Sequence, residues 1–112
     1  MDVRCEPVND VMVVVPAGPL LDASTAGEFQ QAMTPVLEAH SQILVDLSRL
    51  SFVDSSGLGV FLTCLRHVQS QGGELKLCGL LPPVRALFEL VRMHRLFHIF
   101  DTQEAALGTF TT

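Results

Sequence analysis

The sequence predicts a single α/β domain over residues 1–112, with a mostly parallel, mixed β-sheet of four to five strands and about four helices. Strand-like and helix-like segments alternate along most of the chain, which is typical of parallel strands joined by right-handed crossovers. The nearly continuous apolar run Ile43–Leu47 indicates a central strand that is covered on both faces. A length of 112 residues with 48% hydrophobic and 17% charged residues suits one folded domain.

The N-terminal part predicts two strands and a helix. The segment "VMVVVPA", Val11–Ala17, is rich in β-branched residues and lies between turn residues, and residues 2–8 are expected to supply a short partner strand. In the helix that follows, Thr25 and Glu28 have the spacing of a capping box. Pro35 lies inside the same helical pattern, so a kink or a break is possible there.

The second half predicts two further helices and two strands. Apolar residues recur at helical spacing after Asp54, and Gly72 or Gly73 is suited to end that helix in the left-handed conformation. The alternating segment "ELKLCGL" predicts a strand. The prolines of "PPVRALFELVRMHRL" stand in a first helical turn, where they are tolerated, and its expected buried stripe consists of Val84, Leu87, Phe88 and Val91.

The last strand is predicted in "FHIFD", and Thr102 is expected to cap a final helical turn or two. His94 and His98 are four residues apart, as metal ligands on one helix can be. Because "FHIFD" has the pattern of a strand, we expect this pair to straddle a loop instead. No cofactor and no metal site are expected.

Charge and cysteine content exclude several classes of protein. The net charge is -5 and the seven Lys and Arg residues are scattered, so a nucleic-acid partner is not expected. Three cysteines are an odd number, and they lie in or beside apolar runs, which indicates small buried side chains in a reducing cytosol. No segment has the length and apolarity of a signal peptide or a membrane span, so the prediction is a cytoplasmic protein.

The stretch "FVDSSGLGVF", Phe52–Phe61, places two serines where a strand passes into a helix. Unpaired N–H groups at a helix start favour an anion, so a phosphate on either hydroxyl would be stabilised by its own helix. The simpler alternative is that Asp54, Ser55 or Ser56 merely caps the helix. A serine nucleophile is not supported, because there is no Gly-x-Ser-x-Gly elbow and no histidine is placed to act as the base.

The apolar residues of the same helix leave a second question open. They occupy both sides of its first turns, so they either all join the core or leave an exposed patch beside Ser56 that would suit a partner. These residues are Leu58, Val60, Phe61 and Leu62.

Two long stretches, "VDLSRLSFVDSSGLGVFL" and "QGGELKLCGLLPPVRALFELVRMHRLFHIFDTQEAAL", resemble the STAS domain of bacterial anti-sigma factor antagonists. The similarity extends from about Val11 to Leu107, and its most specific part is the Asp-Ser-Ser-Gly-Leu-Gly block. The resemblance implies a switch protein that is not an enzyme. Ser56 would be phosphorylated by a partner anti-sigma factor that is itself a serine kinase.

According to the same resemblance, the unphosphorylated form binds that kinase and frees a sigma factor, and a serine phosphatase restores this form. The implied partner-binding residues are Asp22, Asp54, Ser55, Ser56, Gly57, Leu58 and Gly59. The two glycines are expected to let another molecule approach the backbone. Asp22 matches the aspartate of the family's Gly-x-Leu-Asp turn, although the turn is one residue longer here if Gly18 is the matching glycine.

An alternative interpretation of the function assumes the same fold but a different partner. The chain would then be a STAS interaction module outside sigma regulation, such as an accessory subunit of a lipid-transporting ABC complex or a part of a stress-sensing assembly. Such relatives share the fold and need not be phosphorylated. The "DSSG" block favours the first reading without excluding the second.

Overall fold

The computed structural model describes residues 1–110 and contains a five-stranded sheet, a separate two-stranded sheet and four α-helices. In chain order the elements are β1 (Val3–Val8), β2 (Val11–Pro16), β3 (Leu20–Leu21), α1 (Ala26–Ala39), β4 (Gln42–Asp46), β5 (Phe52–Val53), α2 (Ser55–Ser70), β6 (Glu74–Cys78), α3 (Pro82–Leu90), a 3-10 helix (Met93–Arg95), β7 (His98–Phe100) and α4 (Gln103–Leu107).

The large sheet has the strand order β1-β2-β4-β6-β7. The β1 and β2 strands form an antiparallel hairpin, and every other pair in the sheet is parallel. The apolar strand β4 lies in the middle, between β2 and β6. The predicted mixed, mostly parallel α/β architecture is confirmed, and so is the central position of the Ile43–Leu47 run.

Helices α1, α2 and α3 pack on one face of this sheet around three phenylalanines. The ring centroids of Phe29 and Phe61 are 5.4 Å apart, and those of Phe61 and Phe88 are 6.0 Å apart. All three side chains are buried among strand residues such as Val45 and Leu77. Edge-to-face and tilted contacts of this kind add to the stabilisation that comes from burying the rings.

The opposite face is covered by α4 and by Phe110, which pack against Val11, Val13 and Leu44. Lys76 lies on this face and is only 5% exposed. Its ammonium donates to the carbonyl oxygen and the hydroxyl of Thr109, at 2.9 Å each, and lies 4.7 Å from the ring centroid of Phe110. The charge is therefore satisfied by the segment that follows α4.

The first helix differs from its prediction in how it begins. Thr25 precedes α1 but makes no capping bond with its side chain, and Glu28 pairs with the N-terminal amino group of Met1. The predicted capping box is therefore wrong, because the Thr25 hydroxyl instead accepts from the Asp22 N–H at 3.0 Å. The helix continues through Pro35 without a break.

A second difference concerns the residues just before α2. The chain leaves the large sheet after Asp46, and Phe52–Val53 pairs in parallel with Leu20–Leu21 as a separate small sheet. This small sheet was not predicted.

The third helix is shorter than its sequence pattern suggested. Val84 and Phe88 are buried as predicted, but Val91 is 49% exposed. Helix α3 ends at Leu90, and Arg92 adopts the left-handed conformation with φ 61°. Val91 therefore lies in the turn after the helix and does not continue its buried stripe. His94 lies in the 3-10 helix and His98 in β7, so the two do not share a helix.

Two of the three cysteines are buried as predicted. Burial raises the pKa of the Cys64 thiol to about 11 and that of the Cys78 thiol to about 12, so both are protonated at neutral pH. Cys5 is exposed on β1, so the prediction that it is buried is wrong. The reason is that, among the described residues 1–110, β1 lies at the edge of the large sheet beside β2.

Within residues 1–110, no helix has the length and apolarity needed to cross a lipid bilayer.

Phe61 and Phe52 provide a matched test of this core, since one ring is 1% and the other 50% exposed. We expect Phe61→Ala to lower the free energy of unfolding by about 3 to 5 kcal/mol, because it leaves a cavity between two other rings. Phe52→Ala should cost about 1 kcal/mol or less. Urea unfolding followed by circular dichroism measures both, and equal losses would contradict the described packing.

Candidate functional site

The start of α2 is held in place by the small two-stranded sheet. Leu21 pairs with Val53, and both side chains are buried. The Asp54 N–H then donates to the Leu21 carbonyl oxygen at 3.1 Å. These contacts fix residues 20–25 against the strand-to-helix junction at Asp54.

Asp54 uses its two carboxylate oxygens for two different purposes. Oδ1 accepts from the N–H groups of Ser56 and Gly57 at 2.9 and 3.2 Å, which caps α2. Oδ2 accepts from the Ala23 N–H at 3.1 Å. A single side chain therefore both starts the helix and attaches the neighbouring loop to it.

Because Asp54 is the cap, neither serine is needed for that task. Ser55 and Ser56 are both exposed, and within residues 1–110 neither side-chain hydroxyl takes part in a hydrogen bond. Of the three capping candidates that the sequence offered, the structure selects Asp54. Two free hydroxyls remain at the positive end of a helix of 16 residues.

Asp22 lies in the loop that Asp54 holds. Its Oδ1 accepts from the Ser24 hydroxyl at 2.6 Å and from the Ser24 N–H at 2.9 Å. These hydrogen bonds lower the pKa of the Asp22 carboxyl, so it is ionised at neutral pH. The structure thus brings Asp22 to the same end of the domain as Asp54, Ser55 and Ser56, despite the longer turn.

The two glycines of the motif have different environments. A Cβ atom on Gly57 would lie 2.7 Å from Leu21 Cγ and 2.9 Å from the Leu21 carbonyl oxygen. Gly57 is therefore required for packing inside the domain, and the prediction that it leaves space for another molecule is wrong. Gly59 is exposed and has nothing within 4 Å of such a Cβ, so of the two glycines it is Gly59 that leaves space for another molecule.

The structure also settles the open question about the apolar residues of α2. Leu58, Val60 and Phe61 are all buried, and Leu62 is partly buried. They do not form an exposed patch beside Ser56. Leu58 consequently belongs to the core and not to the docking surface that the resemblance implied.

The exposed apolar surface comes from other residues, which the sequence analysis did not assign to the site. A cavity of about 470 Å³ opens next to Ser55 and is lined by Phe52, Val53, Asp54, Ser55, Pro83 and Leu87. We call this cavity the β5–α3 groove. Strand alternation places Phe52 outward and Val53 inward, which was a usable signal, but the position of α3 beside β5 depends on the tertiary fold.

Within residues 1–110, no histidine stands beside the two serines of the site. None of the four histidines lines the β5–α3 groove, and among residues 1–110 none hydrogen-bonds to Ser55 or Ser56. In the same part of the chain no cluster of three or more His, Cys, Asp or Glu side chains is arranged to hold a metal ion. The arrangement consists of two free hydroxyls, two carboxylates and an apolar groove.

The sequence profile of the STAS domain matches residues 3–106 of the chain. The chain belongs to the STAS domain family. The match covers the helix start, the Asp22 loop and the β5–α3 groove, so every part of the described site lies within this STAS domain.

Relatives with similar sequences are named as regulators of sigma factors. An anti-sigma F factor antagonist of Paenibacillus polymyxa is 29% identical over 109 residues, which are 96% of this chain and 92% of the relative. An anti-sigma-B factor antagonist of Staphylococcus aureus is 30% identical over 97 residues, which are 86% of this chain and 90% of the relative.

Solved structures confirm the fold. An anti-sigma factor antagonist from Mycobacterium paratuberculosis has a TM-score of 0.87 at 24% identity, over 97% of this chain and 92% of that one. The Bacillus protein SpoIIAA is 24% identical and gives TM-scores of 0.70 in its unphosphorylated form and 0.72 in its phosphorylated form. The unphosphorylated form matches over 95% of this chain and 94% of its own, and the phosphorylated form over 96% and 97%.

The two glycines of the STAS motif allow a matched test of the site's construction. Gly57→Ala should lower the free energy of unfolding by about 1 to 3 kcal/mol, because the added methyl group overlaps Leu21. Gly59→Ala should raise it by about 0.5 to 1 kcal/mol, because alanine is the better helix former and meets no neighbour. Urea unfolding of both variants checks this, and a loss at Gly59 as large as at Gly57 would contradict the description.

Proposed function

We propose that the chain is an anti-sigma factor antagonist whose binding to a serine-kinase anti-sigma factor is switched off by phosphorylation of Ser56. In this proposal the unphosphorylated form binds the kinase and frees a sigma factor, and a serine phosphatase regenerates that form. The protein acts in the cytoplasm and catalyses no reaction itself. Sequence similarity to named anti-sigma factor antagonists supports this class of partner.

The observation that carries the proposal is the free, exposed hydroxyl of Ser56 at a helix start that is already capped by Asp54. A kinase can reach this hydroxyl without breaking a hydrogen bond of its side chain. The added phosphate lies at the positive end of α2, where a negative charge is stabilised. Modification is therefore compatible with an intact fold.

The same phosphate changes the docking surface strongly. It brings about -1.5 to -2 charges to a surface that already carries Asp22 and Asp54, on a chain with a net charge of -5. A partner that fits the unmodified site then meets like-charge repulsion and the cost of desolvating the phosphate. The switch therefore acts on binding and leaves the stability of the domain nearly unchanged.

The β5–α3 groove gives Ser55 a different role from Ser56. Ser55 lines the groove together with Phe52, Pro83 and Leu87, so we assign it to partner contact. The groove offers an apolar surface for a partner's side chains, while Ser56 and the two carboxylates lie at its polar border.

Affinity capture tests the proposal. Wild type, Ser56→Ala, Ser56→Asp and Ser55→Ala serve as baits in a native lysate of the organism that encodes the chain, and mass spectrometry identifies the retained proteins. We expect wild type and Ser56→Ala to retain a serine-kinase anti-sigma factor, with at least tenfold weaker retention by Ser56→Asp because of its charge. Ser55→Ala should retain the same partner more weakly than wild type, because it removes one contact, but more strongly than Ser56→Asp. Aspartate carries less charge than phosphate, so some residual binding is expected.

Incubation of the captured partner with ATP supplies the control. Phosphate should be incorporated into wild type and Ser55→Ala but not into Ser56→Ala. Thermal unfolding should show Ser56→Asp within about 1 kcal/mol of wild type, which separates lost binding from lost folding. Retention of one non-kinase partner by all four baits would refute the switch and support a STAS module outside sigma regulation.

A further inference from the structure

The β1 edge of the large sheet is unpaired within the described residues. Strand β1 has β2 on one side, and no other strand of residues 1–110 lies along its second side. Its residues Arg4 to Pro7 are all exposed. We propose that this edge pairs with β1 of a second copy of the chain, antiparallel and in one register, to form a two-fold symmetric dimer. This proposal is independent of the proposed function.

The hairpin determines which backbone groups point outward. Val8 pairs with Val11 across a two-residue turn at Asn9 and Asp10, and the Ala17 N–H donates to the Asp2 carbonyl oxygen at 2.9 Å. In an antiparallel hairpin every second residue bonds to its partner strand. The even-numbered residues of β1 therefore bond to β2.

The odd-numbered residues Val3, Cys5 and Pro7 direct their backbone groups to the free edge. Pro7 has no N–H to contribute to the β1–β2 ladder, and at this position none is required. The free edge thus presents the N–H groups of Val3 and Cys5 and the carbonyl oxygens of all three residues.

One register satisfies both the hydrogen bonds and the charges. With the two-fold axis at Cys5, Cys5 faces Cys5 of the partner subunit, and the Val3 N–H reaches the carbonyl oxygen of Pro7 of the partner subunit. The four N–H groups of the two free edges then all find acceptors. Arg4 lies opposite Glu6 of the partner subunit, and this pair occurs twice because the interface is symmetric.

The neighbouring registers are disfavoured by like charges. If the two-fold axis moves by one residue to Arg4, Arg4 lies opposite Arg4 of the partner subunit and Asp2 lies opposite Glu6 of the partner subunit. A shift in the other direction places Glu6 opposite Glu6 of the partner subunit. It also sets Cys5 opposite Pro7 of the partner subunit, which has no N–H to donate to the Cys5 carbonyl oxygen. Charged residues and proline usually protect an edge strand from foreign strands, and here the charges are also self-complementary.

The dimer leaves the Ser56 site free, because β1 contributes no residue to it. The three segments that build the site, residues 20–25, 52–59 and 83–87, all lie outside β1.

Sedimentation velocity of the untagged, reduced chain between about 10 µM and about 1 mM tests the proposal directly. We expect reversible dimers in wild type. Arg4→Glu and Glu6→Arg should each raise the dissociation constant at least tenfold, because each substitution sets two pairs of like charges opposite one another. The double variant Arg4→Glu/Glu6→Arg restores opposite charges, so its dissociation constant should return to within about threefold of wild type.

Oxidised glutathione provides an independent readout of the register. Paired Cys5 residues would have Cα atoms about 5.5 Å apart, within the Cα range of about 4.4 to 6.8 Å seen in disulfides. Their Cβ atoms, about 5.5 Å apart, must approach by about 1 Å for the bond to form. We expect a Cys5–Cys5 disulfide, with the two thiols oxidised as glutathione disulfide is reduced. It should form at least tenfold faster in wild type and in the double variant than in either single variant, and not at all in Cys5→Ser.

Circular dichroism and thermal unfolding verify that all variants fold, which the exposure of residues 4 and 6 leads us to expect. A chain that stays monomeric at the highest concentration would overturn the proposal. Equal disulfide rates in all cysteine-containing variants would overturn it as well, because they would indicate random collisions.

Discussion

The carboxylate of Asp54 is the contact on which the functional end of this domain depends. One oxygen caps α2 and the other holds the loop that contains Asp22. One side chain thereby holds together a loop and a helix that are 31 residues apart in sequence. Because Asp54 already caps the helix, neither of the two serines that follow is needed as a cap. Their hydroxyls can therefore remain exposed, although serine is itself a common capping residue.

This arrangement separates the parts that maintain the fold from the parts that can change. Gly57 packs against Leu21, and Leu58 is buried in the core. Ser55, Ser56 and Gly59 are exposed. Residues of both kinds lie side by side in the first five positions of α2. A charge added to the outward set would therefore lie close to the core without displacing any of its side chains.

Much of the fold was predictable because periodicity reports burial directly. The continuous apolar run of β4 identified a central strand, and helical spacing after Asp54 identified α2. The small sheet of β3 and β5 was not predictable, since two-residue strands leave no periodic pattern. The capping box at Thr25 failed because a tertiary contact with Met1 and a local turn at Asp22 competed for the same side chains.

The site was predictable only in part. The residue types of the "DSSG" block pointed to a helix start, and the resemblance pointed to Ser56. Which side chain caps the helix depends on geometry, and which apolar residues remain exposed depends on how neighbouring elements cover them. Phe52 and Leu87 become one surface only because α3 packs beside β5, and no local pattern contains that information.

Lys76 and its contacts with Thr109 and Phe110 have a consequence for synthesis. The apolar face formed by Val11, Val13 and Leu44 is covered by α4 and Phe110, which follow every strand in the chain. A nascent chain emerging from the ribosome thus carries strands β1 to β7 with one face of the large sheet uncovered until α4 and Phe110 have been synthesised. During that interval the uncovered face offers a surface that a chaperone can bind, and water solvates the Lys76 ammonium in place of Thr109.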